Sequence, residues 1–248
     1  MRWQLRLEPG GAEGVAHFGP RPAYAVGWRA SEFALRALNF AVALVGLILT
    51  APLFLAIAVL VKLSSPGPVI YAQDRVGLDR RRWSRRRPSS SVERSAGRRR
   101  DDTGGQLFRI YKFRTMVAGS DRQGQVWASH SDPRITAVGH VLRKYRLDEL
   151  PQLLNVLRGD MNMVGPRPEQ PNIFRELRAR VSGYRHRQQV LPGITGWAQI
   201  NQSYDQTLAD VRRKVAFDLE YIEKRSLWKD LKIMARTVPV MIGKKGSL

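Results

Sequence analysis

The adjacent carboxylates Asp148 and Glu149 lie in the stretch RKYRLDELPQLLNVLRGDMNMVGPRP, with Arg143, Arg146, Arg158 and Arg167 around them. Leu150, Leu153, Leu154 and Leu157 follow at the spacing of one helical face. Pro151 fits such a helix only in its first turn, where a backbone N–H has no partner to lose. The two carboxylates are therefore expected at a helix N-terminus, where unpaired N–H groups and the macrodipole favour negative charge. That placement keeps both ionised and also suits the spot to phosphate. An Asp opening a helix is more often a simple N-cap. The arginines argue for more, because Pro166 and Pro168 restrict the backbone of Arg167 from both sides. Two carboxylates among fixed guanidiniums suggest a nucleophile and a metal ligand facing a phosphorylated substrate.

The elements that must position this pair lie on both sides of it. VIYAQDRV (69–76) and QLFRIYKFR (106–114) are rich in β-branched and aromatic residues and predict two strands. Lys112 and Arg114 alternate with Tyr111 and Phe113, which puts both cations on one strand face. There they either border a phosphate site or merely solvate the sheet. Asp132-Pro133 reads as a turn before a helix over 135–145. Residues 172–180 have helical character, Pro192-Gly193 marks a turn, and Val211, Val215, Leu219 and Ile222 mark an amphipathic helix. The last segment, 227–242, mixes Trp228, Leu231 and Ile233 with Lys229, Lys232 and Arg236. It reads as an interfacial helix or as a core helix.

Residues 40–61 form an uncharged apolar run of 22 residues between Arg36 and Lys62. A straight helix of that length is about 33 Å long, enough to cross a bilayer. Pro52 falls near its middle and divides it into pieces too short to cross. Arg21, Arg29 and Arg36 precede the run, and Lys62, Arg75 and Arg80 follow it. Basic residues on both sides fit a bent helix that enters and leaves the cytoplasmic leaflet, in preference to a proline-kinked span.

The net charge of +21 calls for a polyanionic partner: nucleic acid, an anionic membrane surface or a phosphorylated substrate. Ten of the arginines lie in the segment 80–100, within a stretch (79–105) whose only aromatic residue is Trp83. That composition predicts a disordered loop between the two strands. Next to an apolar membrane segment, anionic lipid is its simpler partner, and no nucleic acid is expected. The chain has no cysteine, which excludes disulfides and thiolate metal sites, and its four histidines show no metal-ligand spacing. No Walker-type glycine loop occurs. No signal peptide is expected. The predicted organisation is a loosely ordered lead (1–35) with Trp28 as an interfacial anchor, a membrane helix (36–65), a catalytic domain (66–242) and a tail (243–248).

RLDELPQLLNVLRGDMNMVGPRP, together with IYKFRTM and PGITGWAQI, resembles the bacterial sugar transferases, the monotopic phosphoglycosyl transferases. The resemblance runs from about Arg36 to Ile242, apart from the arginine-rich insert. It implies a mainly α fold with a small β-hairpin, and an N-terminal re-entrant helix broken at proline. In the family that break is usually Ser-Pro; here it is Ala51-Pro52, with Thr50 able to bond back one turn. The resemblance implies Asp148 as nucleophile and Glu149 as ligand to Mg²⁺. Arg143, Arg146, Arg167, Lys112, Arg114 and Arg187 are then candidates for binding substrate phosphate. The expected substrates are a UDP-sugar and polyprenol phosphate, at the cytoplasmic face of the bacterial inner membrane; formation of a homodimer is left open. The rival expectation is a non-enzymatic membrane anchor whose basic loop binds nucleic acid or another polyanion.

Overall fold

The computed structural model describes residues 28–79, 105–117, 119–120, 132–202 and 207–242. The expectations for residues 1–27, for most of the arginine-rich insert and for the tail lie outside them, as does the side chain of Trp28. The architecture is mainly helical with two small sheets. Helix α1 spans Trp28–Ser64, so the last residues of the expected lead, 28–35, belong to the helix. Strands β1 (Ile70–Val76) and β2 (Leu107–Phe113) pair antiparallel, from Ile70 against Phe113 to Val76 against Leu107. This is the predicted hairpin, with the insert at its tip.

Helix α2 (Ala137–Lys144) starts at Thr136, whose side chain accepts from the Gly139 N–H. A Cβ at Gly139 would overlap the Thr115 backbone, so glycine is what lets α2 approach the end of β2. The chain then makes a 3₁₀ turn (Leu147–Glu149) and enters α3 (Gln152–Arg158), which ends at Gly159 with φ 89°. Strand β3 (Asn162–Val164) runs parallel to β4 (Gly193–Thr195), a sheet with no counterpart in the expectations above. Between them lie α4 (Pro171–Arg180) and a 3₁₀ segment, Tyr184–Gln189. A Cβ at Gly193 would overlap the Gly165 backbone, so PGITG is a close-approach motif that seats β4 against the Pro-Arg-Pro loop. Short α5 (Trp197–Asn201) and the longer α6 (Leu208–Glu223) and α7 (Leu227–Ile242) complete the fold.

Helix α1 continues through Pro52 as one element, about 55 Å long at the standard rise. Pro52 therefore lies inside the helix and does not end it. Proline removes a single backbone bond, the one its N–H would give to the Ile48 carbonyl. Thr50 does bond back, but to the Gly46 carbonyl at 2.7 Å and not to the one that Pro52 frees.

A stripe through Leu35, Asn39, Ala43, Phe54, Ile57 and Val61 faces the rest of the chain. Ala43 packs with Phe108, Leu153, Val156 and Met161; Ile57 and Val61 pack with Phe113 and Leu142. Each large side chain buried in this way contributes about 1.5–3 kcal/mol. Polar clamps fix the register of the stripe. Arg36 donates to the Val156 and Leu157 carbonyls at 2.7 and 2.9 Å, capping the C-terminus of α3, and the Met163 N–H donates to Asn39 Oδ1. The opposite face of α1 is apolar and open: Leu49, Leu55 and Leu63 are 75, 70 and 78% exposed.

Candidate active site

Asp148 and Glu149 occupy the 3₁₀ turn between α2 and α3. Arg146 reverses the chain with a left-handed backbone, φ 53°. That conformation costs a residue with a Cβ about 1–2 kcal/mol, so the reversal is imposed by its surroundings. The Arg146 N–H donates to the Arg143 carbonyl, and the Glu149 N–H to that of Arg146. Leu150 and Pro151 keep helical geometry and lead into α3. The pair therefore sits just ahead of the helix proper, a small shift from the expected first turn.

Both carboxyls are buried, each residue 8% exposed. Lys112 reaches from β2 with its Nζ 2.9 Å from Glu149 Oε1 and 3.9 Å from Asp148 Oδ2. Arg167 reaches from the Pro-Arg-Pro loop, with one guanidinium nitrogen 2.5 Å from Glu149 Oε1 and the other 3.4 Å from Oε2. The two acids then diverge. Burial pushes the Asp148 carboxyl up, helped by the negative Glu149, while Lys112, Arg167 and Arg143 only partly oppose it. Burial also acts upward on Glu149, but Arg167 and Lys112 outweigh it and hold that carboxyl well below the usual range. The expectation that helix position alone keeps both ionised is thus corrected: the two carboxyls depend on burial and on the cations each meets.

Arg143 donates through Nε to Thr115 Oγ1 at 2.9 Å and contributes to the field at Asp148, and Arg146 contributes to the field at Glu149. Arg158 turns to the Tyr111 hydroxyl, 2.6 Å away. Arg114 and Arg187, also expected as phosphate ligands, are engaged by other partners in this structure. Arg114 lies just beyond β2, buried, and its NH1 and NH2 donate to the Pro66, Val61 and Ser65 carbonyls and to Ser65 Oγ. It caps the end of α1. Arg187 is fully enclosed: Nε donates to Asp218 at 2.7 Å, NH1 to the Tyr184 hydroxyl and NH2 to the Arg167 carbonyl, each at 2.9 Å. It stands behind Arg167, not beside it.

The loop around Arg167 is held by residues that sequence reasoning missed. Arg75 donates to the Pro168 carbonyl at 3.1 Å, the Val76 N–H to the Glu169 carbonyl at 3.0 Å, and Lys214 to Glu169 Oε1 at 2.7 Å. These residues are scattered through the chain without a shared motif. Asn155 was missed as well, although a polar residue inside LLNVL was a readable signal.

Among the described residues, no group of three or more His, Asp or Glu side chains could hold a metal ion. The adjacent Asp148 and Glu149 carboxylates still fit Mg²⁺. That ion takes one or two carboxylates and completes its shell with water and substrate phosphate.

A buried acid pair faced by a lysine and a loop-clamped arginine is an arrangement suited to a phosphorylated ligand. The description of bacterial sugar transferases matches residues 30–244, and the chain belongs to that family. It is 39% identical over 223 residues to the UDP-N-acetylgalactosamine-undecaprenyl-phosphate N-acetylgalactosaminephosphotransferase of Aeromonas hydrophila, covering 90% of this chain and 45% of that protein. It is 40% identical over 205 residues to a UDP-glucose:undecaprenyl-phosphate glucose-1-phosphate transferase of Escherichia coli K12, covering 82% and 39%. An enzyme of the same name from Caulobacter vibrioides is 39% identical over 240 residues, covering 96% and 76%. The chain thus spans less than half of the first two relatives and about three quarters of the third.

Proposed function

We propose that the chain transfers a sugar 1-phosphate from a UDP-sugar to polyprenol phosphate, giving polyprenol-diphosphate-sugar and UMP, as the first step of a surface glycan pathway. The observation that carries this is the convergence of Lys112 and Arg167 on Glu149, while among the described residues the ion pair of Asp148 is the longer, 3.9 Å contact with Lys112. Glu149 is thereby fixed as a permanent anion, and Asp148 is left as the group that reacts. The names of the relatives supply the substrate classes.

In the proposed reaction an Asp148 carboxylate oxygen attacks the sugar-bearing phosphorus. A phosphorus–oxygen bond to Asp148 forms, the diphosphate bond breaks, and UMP leaves with the electron pair. An oxygen of polyprenol phosphate then attacks the same phosphorus and releases Asp148 as carboxylate. Arg167, Lys112 and Arg143 stabilise charge on the transferring phosphoryl group. Mg²⁺, with Glu149 as its protein ligand, would supply charge neutralisation on the diphosphate. Burial of the pair excludes water, which would otherwise compete with the lipid acceptor.

The membrane reading is monotopic. Helix α1 is long and apolar enough to cross a bilayer. Its buried stripe, however, lies against the rest of the chain from Leu35 to Val61, about 39 Å at the helical rise. Packing of the rest of the chain along one face of the helix over that length supports re-entrant embedding from the cytoplasmic face of the inner membrane. Basic flanks suit anionic lipid there. Purified protein in detergent tests the activity. It should release UMP from at least one member of a UDP-sugar panel, dependent on polyprenol phosphate for full turnover and lost in Asp148→Asn. No release from any UDP-sugar would contradict the proposal.

A further inference from the structure

We infer that Asn155 is a positioning residue that locks the helix following the acid pair to the strand carrying Lys112. The inference rests on the proposed reading of Asp148, Glu149 and Lys112 as groups of the reaction site. Asn155 is fully buried in α3. One edge of β2 is taken by β1. On the other edge, the Tyr111 N–H donates to Asn155 Oδ1 at 3.1 Å, and Asn155 Nδ2 donates to the Arg109 carbonyl at 2.7 Å. A side-chain amide thus occupies the place of a neighbouring strand and satisfies a backbone donor and acceptor two residues apart.

Lys112 directly follows Tyr111, so its backbone is fixed by this contact. The main-chain carbonyl of Asn155 accepts the Gly159, Asp160 and Met161 N–H groups at 3.1, 3.0 and 3.3 Å, so the same residue organises the end of α3. A closed circuit results. It runs from Glu149 along α3 to Asn155, across two hydrogen bonds to Tyr111 and Arg109, and back through Lys112 Nζ to Glu149 Oε1 at 2.9 Å. No other side-chain type closes it equally. Leucine leaves a strand N–H and C=O without partners, aspartate keeps the acceptor and loses the donor, and glutamine is one methylene too long for the same two bonds in a fully buried site.

The test compares wild type with Asn155→Leu, Asn155→Asp, Lys112→Met and the double variant Asn155→Leu/Lys112→Met, all in detergent. Turnover is read as UMP release, and the geometry of Lys112 as its rate of acetylation by acetic anhydride, followed by mass spectrometry. Asn155→Leu should lower kcat about 100-fold with KM held within about threefold, the size of effect expected from a misplaced reacting group. Acetylation of Lys112 should speed up relative to other lysines. In the Lys112→Met background, Asn155→Leu should cost no more than about threefold further, because the two changes remove one interaction. Independent, multiplying losses, or unchanged Lys112 acetylation in a folded variant, would overturn the assignment. Asn155→Asp serves by the same criteria if the leucine variant does not fold, and misfolding of both would overturn a positioning role separable from folding. Wild-type turnover in Lys112→Met would instead contradict the parent reading of the site, and the acetylation rates would still decide whether Asn155 holds Lys112.

Discussion

Lys112 and Arg167 both reach Glu149 closely, while Lys112 meets Asp148 at the longer 3.9 Å, so the two neighbouring acids divide the charge of the site unequally. Asp148 must be ionised to attack phosphorus, and burial raises its pKa. Activity should therefore climb with pH as Asp148 loses its proton. Lys112→Met removes a cation that favours the ionised form, and should move the acid limb of the kcat profile to higher pH; an unmoved limb would show that Lys112 does not act on Asp148. Behind the site, Glu169 is paired with Lys214 and its carboxyl is held down to about 2. Its folded value lies below the ordinary one, so the stabilisation is present above about pH 4.5 and is lost as pH falls toward 2. The shift corresponds to a few kcal/mol, on the order of 3. Lys214→Met should lower the urea midpoint at pH 7 and flatten its acid dependence.

At the scale of elements, the acid pair is delivered by a turn that joins α2 to α3, and α3 is fastened at its middle and at its C-terminal end. Asn155 ties it to β2, and Arg36 caps its C-terminal carbonyls from α1. Hydrogen bonds from a charged donor contribute about 1.5–3 kcal/mol. Arg36→Met should cost about 2 kcal/mol in denaturant unfolding and reduce turnover without touching substrate; an unchanged midpoint would show that the cap is dispensable. Much of this level was legible in the sequence. The hairpin strands, α2, α4, α6 and α7 follow from periodicity, and Thr136 and Pro171 stand where helix starts are expected. What escaped depended on distant partners. The strands β3 and β4 are three residues each, too short for alternation to show. Arg114 and Arg187 carry the charge of phosphate ligands, yet carbonyls at the end of α1 and the buried Asp218 claim them. Only tertiary packing decides such assignments.

On the scale of the whole molecule, α1 presents one face to the protein and leaves the other apolar and open, with Pro52 near the centre of the open stretch. Cysteines introduced at Ser31 and Ser64 would be the only thiols in the chain. An impermeant thiol reagent should label both from the cytoplasmic side, and labelling of Ser31→Cys from outside would contradict re-entrant embedding. Replacing the arginine-rich residues 80–102 by a tight turn should leave turnover in detergent intact and weaken binding to anionic liposomes. The weakening should shrink at high salt, since exposed charges are screened beyond about 10 Å at 0.1 M. The central claim is narrower than any of these: Asp148 carries the sugar phosphate between two substrates. Incubation with labelled UMP and UDP-sugar, with polyprenol phosphate withheld, tests it most directly. The account predicts exchange of label into the UDP-sugar and a sugar phosphate covalently retained on Asp148, with both signals absent in Asp148→Asn. Full turnover with polyprenol phosphate, but neither exchange nor covalent label without it, would contradict the account and favour direct transfer with Asp148 as a general base.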